Sequence, residues 1–263
     1  KDIQGQELGK RAMVIAATGL HHVMMTGPPG SGKTMLAERL PTILPDMSWD
    51  ERFETTRIHD VAGLLDKNTL ISKRPFRNPH HTATLASIIG GGSNAKPGEI
   101  TLAHNGVLFI DEAPEFPRFI LDALRQPLEA HTITVNRLQN SYEYPANFIC
   151  VLAANPCPCG YYGDPHKECV CSSTEFVKYQ NKISGPILDR IDLYISVERP
   201  SFNDMLLINE DSLSSSDMKD LVERGRNIQL ERFKDCTFKT NGSMPHRAIR
   251  ELCNIQDDCW NLL

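Results

Sequence analysis

"GPPGSGKT", residues 27–34, fits G-x-x-x-x-G-K-[ST], and its flanks decide what the match means. Before it, "HHVMMTG" (21–27) is a short apolar run entering glycines, so a buried strand. After it, "GKTMLAERL" (32–40) takes up helical spacing and is expected to stop before Pro41. A strand that passes through glycines into a helix N-terminus is built to hold phosphate. Gly27, Gly30 and Gly32 let backbone N–H groups close around anionic oxygens, with Pro28, Pro29 and Ser31 completing the loop. Lys33 can reach β- and γ-phosphates, and Thr34 can ligate Mg²⁺.

Working outward, "GVLFID" (106–111) is a second continuous apolar strand and ends in Asp111-Glu112. Asp111 can hold the Mg²⁺ shell, and Glu112 can orient and deprotonate an attacking water. Alone, such a pair is often a plain strand cap; after a phosphate loop in the same sheet it reads as catalytic. A general base also argues against a switch that only binds nucleotide. A third strand, "FICVLAAN", ends in Asn155, which can hold the water or simply start a turn before Pro156. "GPILDRIDLYISV" (185–197) reads as a short helix and a fourth strand. Helices are expected over 7–20 and 118–129, the second kinked or ended by its proline, and a hairpin over 132–147. Apolar strands alternating with helices predict an α/β fold, a parallel sheet covered on both faces.

Beyond Glu198 the texture changes. "EDSLSSSD" (210–217) reads as a polar linker, followed by helical segments at 218–233 and 244–253. The division expected is an ATPase core over 1–198 and a small helical domain over 199–263.

The formal net charge of the 263 residues is -5, so no overall basic field recruits nucleic acid; such a partner needs a local patch or an enclosed channel. No apolar run approaches the roughly 20 residues that span a bilayer. The chain opens on Lys1 inside what reads as a motif, which suggests a piece of a longer protein.

Two stretches fall outside the nucleotide motifs. "RPFRNPHHT" sets Arg74, Arg77, His80 and His81 beside Phe76. These residues can grip phosphates and stack on bases, or form a buried hydrogen-bonded loop. Arg137 stands at the expected hairpin tip and is a further candidate for DNA contact. "NPCPCGYYGDPHKECVCS" (155–172) holds Cys157, Cys159, Cys169 and Cys171 as two C-x-C pairs. Four thiolates suit structural Zn²⁺, although C-x-C is tighter than the usual spacing; free thiols and disulfides are the alternatives. The cluster lies between Asn155 and Arg190, where a metal would hold a loop without entering the chemistry.

These pieces, in this order, resemble the AAA+ ATPases. "DIQGQELGKRAMVIAATGLHHVMMTGPPGSGKTMLAERLP", "RPFRNPHHTATLASIIGGG", "PGEITLAHNGVLFIDEAPEF", "LRQPLE", "NPCPCGYYGDP" and "SGPILDRIDL" are similar to the magnesium-chelatase-like subfamily, in its ComM/YifB branch. The resemblance implies a P-loop three-layer sandwich with a helical lid, and a ring, most often a hexamer, with ATP between subunits. It adds Ile3, Gln6 and Met35 to the nucleotide contacts and makes Asn155 the γ-phosphate sensor. It makes Arg190 the finger offered to a neighbouring subunit, where the residues alone leave open a local pairing with Asp189 and Asp192; Arg125 is the other trans-acting candidate. It implies an insertion around 58–100, a Lon-like domain N-terminal to this region, and a lid arginine beyond its end. The activity expected is ATP-driven remodelling or translocation of DNA, of the branch-migration helicase kind, in the cytoplasm. The alternatives are a chelatase motor driving Mg²⁺ into a porphyrin, or a protein remodeller.

Overall fold

The computed structural model describes residues 3, 5–66, 69–91, 95–136, 141–165, 167–199, 213–253, 256 and 259, with the backbone alone at Asn136. Arg137 lies outside the described residues. Five strands, β1 (Val23–Thr26), β2 (Phe76–Arg77), β3 (Val107–Ile110), β4 (Ile149–Ala154) and β5 (Leu193–Ser196), form one sheet. Its order is β2-β3-β4-β1-β5 and every pairing is parallel.

Side chains alternate across a strand, so each apolar run feeds both faces of the sheet. Met24, Leu108, Ile110, Cys150, Leu152 and Ala154 pack into one core. Val23, Met25, Val107, Phe109, Val151 and Ala153 pack into another. The second core is closed by α1 (Glu7–Gly19) and α2 (Lys33–Ile43) through Met13, Ala16, Leu36 and Leu40. The first is closed by Ile100, Leu121, Leu124, Leu128 and Ile187 from short helices on the opposite side. The result is the three-layer α/β P-loop fold, with β3 and β4 buried along their whole length.

Four details depart from the sequence reading. Pro41 sits inside α2, which runs on to Ile43. The proline forfeits one hydrogen bond, and Leu40 and Ile43, both buried, hold the final turn. The helix expected over 118–129 is two pieces, Arg118–Asp122 and Arg125–Ala130. Pro127 cannot donate back to Ala123, and the break falls there. Of the helices not anticipated, the two longest are α3 (Trp49–Val61) and α4 (Ser173–Gln180). Each starts on a capping box, Ser48 with Glu51 and Ser172 with Glu175. Finally, the end of "EDSLSSSD" is not linker: Ser214 and Asp217 cap α5 (Ser215–Arg232). This helix packs on the second core through Met218 and Val222. Arg226 and Gln229 of α5 donate to the carbonyls of Ala17 and Thr18 at the end of α1.

Candidate active site

Thr26 pairs with Ala154, and Ile110 with Leu152. The three central strands therefore end side by side and deliver the phosphate loop, Asp111-Glu112 and Asn155 to one rim. That rim, at the carboxyl ends of parallel strands, is where open α/β sheets bind ligands.

Two glycines of the loop stand in the left-handed region of backbone conformation. Gly30 and Gly32 have φ of 76° and 93°, and a Cβ on either would touch nothing within 4 Å, so the space before the loop is open. At Gly27 the demand is close packing, since a Cβ would lie 2.1 Å from the carbonyl oxygen of Val197 just past β5. Lys33 is buried, and its Nζ donates to the carbonyls of Gly27 at 2.6 Å and Pro28 at 3.0 Å and lies 3.4 Å from Asn155 Oδ1. Burial lowers its pKa, and the carboxylates of Asp111 and Glu112 work against that. An ammonium group buried among carbonyls beside an open loop is suited to an incoming anion.

Thr34 Oγ1 donates to Asp111 Oδ2 at 2.9 Å, while the other oxygen of Asp111 accepts from the N–H of Glu112, also at 2.9 Å. These converging oxygens match the preference of Mg²⁺ for hard oxygen ligands. Glu112 is exposed, with φ of 49°. Asn155, at the end of β4, faces Lys33, and its backbone hydrogen-bonds the hydroxyl of Tyr179, whose pKa burial pushes up to about 12.

The remaining expected nucleotide contacts divide. Gln6 Nε2 donates to the carbonyl of Ser31 at 3.1 Å and to that of Glu198 at 2.5 Å. Ile3 lines an apolar pocket with Met13, Leu36, Leu40 and Met218. Met35 is largely exposed at the start of α2.

Arg190 does not pair with Asp189 or Asp192. Its guanidinium donates to the carbonyl of Pro186 at 2.6 Å and to Glu129, whose carboxyl it holds below the usual range. Asp192 serves His22 N at 2.8 Å and lies 3.3 Å from His21 Nδ1. Arg125 is exposed.

In "RPFRNPHHT" the arginines are engaged. Arg74 donates to Glu51 and to the carbonyls of Pro45 and Asn105. Arg77 grips both oxygens of Glu99 at 2.6 and 2.7 Å. The rings of His80 and His81 lie 4.1 Å apart, and His81 Nδ1 is 3.9 Å from Glu112 Oε2. Sequence reasoning missed this approach to the acidic pair, and no local spacing signals it.

The four clustered cysteines come together. All four Sγ atoms lie within 4.8 Å of one another. None is in a disulfide, and Cys157 is fully buried. A backbone hydrogen bond from Tyr161 draws Cys159 down to about 6. Cys171 is pushed up to about 12: burial and the other three thiols outweigh its hydrogen bond from the backbone of Cys159.

Residues 1–205 match the family profile described as "Magnesium chelatase, subunit ChlI". The protein YifB of Escherichia coli is 41% identical over 257 residues, 98% of this chain and 50% of that protein. Competence protein ComM of Haemophilus influenzae is 42% identical over 256 residues, 97% of this chain and 49% of its own. The chain thus spans about half the length of these relatives. Among solved structures, a chain of the complex between subunits BchI and BchD of magnesium chelatase aligns with a TM-score of 0.55. That alignment covers 89% of this chain and 74% of the other at 21% identity, a likeness of fold.

Proposed function

This chain belongs to the family of magnesium chelatase subunit ChlI, within the AAA+ ATPases, and on that premise we propose that it is an ATP-hydrolysing motor working as a ring on DNA. One observation carries the ATPase reading: Lys33, the Thr34–Asp111 pair, Glu112 and Asn155 converge at the ends of three adjacent strands. In this reading Lys33 turns from the loop carbonyls to the β- and γ-phosphates of ATP. Asn155 and Glu112 hold the attacking water, and Glu112 takes its proton as the water oxygen bonds to γ-phosphorus and the bond to the β-phosphate oxygen breaks. Thr34 and Asp111 would hold Mg²⁺, which when bound neutralises charge on the phosphate oxygens. Gln6 fixes the phosphate loop, with Ile3 and Met35 at the periphery of the nucleotide.

Arg190 is the cation offered to a neighbouring subunit, parked on Glu129 in the single chain. Residues 199–263 form part of a helical lid; α5 is its described portion nearest the core. DNA as the substrate is supported by the likeness to a competence protein. His80, His81 and Arg137 are the residues proposed to meet it, in a ring channel where a net charge of -5 is no obstacle. Turnover in the full-length protein, measured with and without forked DNA, tests this: stimulation is expected, and ATP hydrolysis indifferent to DNA overturns it. The description of the family and the fold of the BchI–BchD complex favour a second reading, a chelatase motor. Stimulation by a chelatase partner subunit alone would select that reading.

Among the described residues no helix is long and apolar enough to cross a membrane.

A further inference from the structure

We propose that Cys157, Cys159, Cys169 and Cys171 bind one Zn²⁺, and that the metal braces the phosphate loop at Pro29. The geometry selects a single ion. Four sulfurs at ~2.3 Å around one tetrahedral centre stand ~3.8 Å apart. Here Cys157 Sγ lies 3.3 Å from Cys159 Sγ and 3.6 Å from Cys169 Sγ, and Cys159 to Cys169 is also 3.6 Å. Cys171 Sγ closes the group, accepting from the N–H of Cys159 at 3.3 Å. Three mutual separations between 3.3 and 3.6 Å approximate the face of a tetrahedron and not two disulfide pairs, whose sulfurs would be bonded at ~2.05 Å. A polynuclear iron–sulfur cluster is larger and would spread its cysteines beyond the observed 4.8 Å. The N–H bond to Cys171 is the kind that stabilises a metal-bound thiolate.

The loop closed by these cysteines rests on the phosphate loop. Gly160, three residues after Cys157, has φ of 85° and packs so closely that a Cβ would lie 2.7 Å from Pro29 Cδ. Arg199 ties the two loops together. It donates to the carbonyl of Pro29 at 3.0 and 3.1 Å, stands 3.8 Å from the buried carboxylate of Asp164 and lies over the ring of Tyr161. The polypeptide between the cysteine pairs has no helix or strand of its own among its described residues. Its shape, and with it the seat of Pro29, is therefore set by the thiol cluster. Zinc binding is independent of the nucleotide reading; the brace rests on it.

Protein expressed and purified without added metal should contain about one zinc per chain by elemental analysis. Replacing that zinc with Co²⁺ should produce the thiolate charge-transfer and d–d bands of a tetrahedral tetrathiolate site. The pair Cys157→Ser and Cys159→Ser should abolish both. Metal-free protein with four titratable thiols and no cobalt spectrum, or protein carrying iron and sulfide, overturns the site. Arg199→Ala leaves the ligands untouched and should keep its zinc while binding a fluorescent ATP analogue about tenfold more weakly, the equivalent of one charged hydrogen bond. Wild-type affinity in Arg199→Ala removes the brace, provided that Lys33→Ala abolishes binding in the same assay. If Lys33→Ala also binds normally, the nucleotide assignment of the loop is what has failed.

Discussion

The hydroxyl of Thr34 donates to the carboxylate of Asp111 over 2.9 Å, across 77 residues of sequence. The bond joins the start of α2 to the end of β3, so two motifs read separately in the sequence form one oxygen-lined position. Asp111→Asn keeps the shape and removes the charge. Its ATP affinity should match wild type in EDTA but no longer increase when Mg²⁺ is added, as read by nucleotide titration with and without the metal. An unchanged Mg²⁺ dependence places the ion elsewhere.

Lys33→Ala should abolish tight ATP binding, whereas Glu112→Gln should bind ATP and fail to turn it over. The lysine acts on the ground state and the glutamate only in the bond-breaking step. Equilibrium binding and steady-state hydrolysis separate the two, and normal hydrolysis by Glu112→Gln would dismiss it as the base.

Arg190→Ala should fold, bind nucleotide and lose turnover by roughly 10³–10⁵, the range for an arginine supplied in trans. Mixing Arg190→Ala with Glu112→Gln subunits of the full-length protein should restore part of the activity, because some interfaces then hold both groups intact. Demonstrably mixed rings that stay inactive count against a shared site.

Arg77 is bound to Glu99 through both carboxylate oxygens, which assigns it to the framework. Arg77→Ala should lower basal and DNA-stimulated turnover in the same proportion, and Glu99→Gln should reproduce it. His80→Ala should spare basal turnover and reduce stimulation. A selective loss of stimulation in Arg77→Ala would return that residue to the DNA surface.

His22 sets a pH dependence. It is buried, and its Nδ1 accepts from the N–H of Cys150 at 3.1 Å. Burial, opposed by nearby Asp192, lowers its pKa from 6.5 to about 4. Unfolding lets the imidazole take a proton that the folded state refuses. Its stabilisation is therefore complete above the unfolded value of 6.5, declines as pH falls toward about 4, and changes no further below that. The loss is on the order of 3 kcal/mol. Burial lowers His59 and His131 as well, with the same sign. His22→Asn retains an acceptor without a proton to gain. Urea unfolding between about pH 7 and 5 should show a shallower decline than wild type; an identical decline assigns the effect to other groups.

The elements that were legible in the sequence are those whose physics is local. β1, β3 and β4 are largely apolar runs that end at glycine, at an acidic pair and at Asn155 respectively, so pattern and chemistry coincide. β2 is two residues long and exists only because Phe76 and Arg77 meet β3, which no periodicity announces. α3 buries few side chains and leaves Trp49 and Phe53 exposed, so it carries no apolar stripe. Its signal was the capping box at Ser48, which reports a start and not a face. The partners of Arg190 and His81 come from distant segments, which sequence spacing does not reveal, and for Arg190 proximity in sequence pointed instead to Asp189 and Asp192.

Gln6 has a single side-chain amide with two hydrogens. One is spent on the carbonyl of Ser31 in the phosphate loop and the other on the carbonyl of Glu198 after the last strand. Those two carbonyls cannot separate without one bond breaking, and Gln6 stands at the N-terminal boundary of α1, its own carbonyl accepting from the N–H of Lys10. The first helix, the loop that faces phosphate and the exit from the sheet thus form a three-way mechanical junction. A shift of the loop by an ångström changes the tilt of a helix or the path of the chain leaving the sheet.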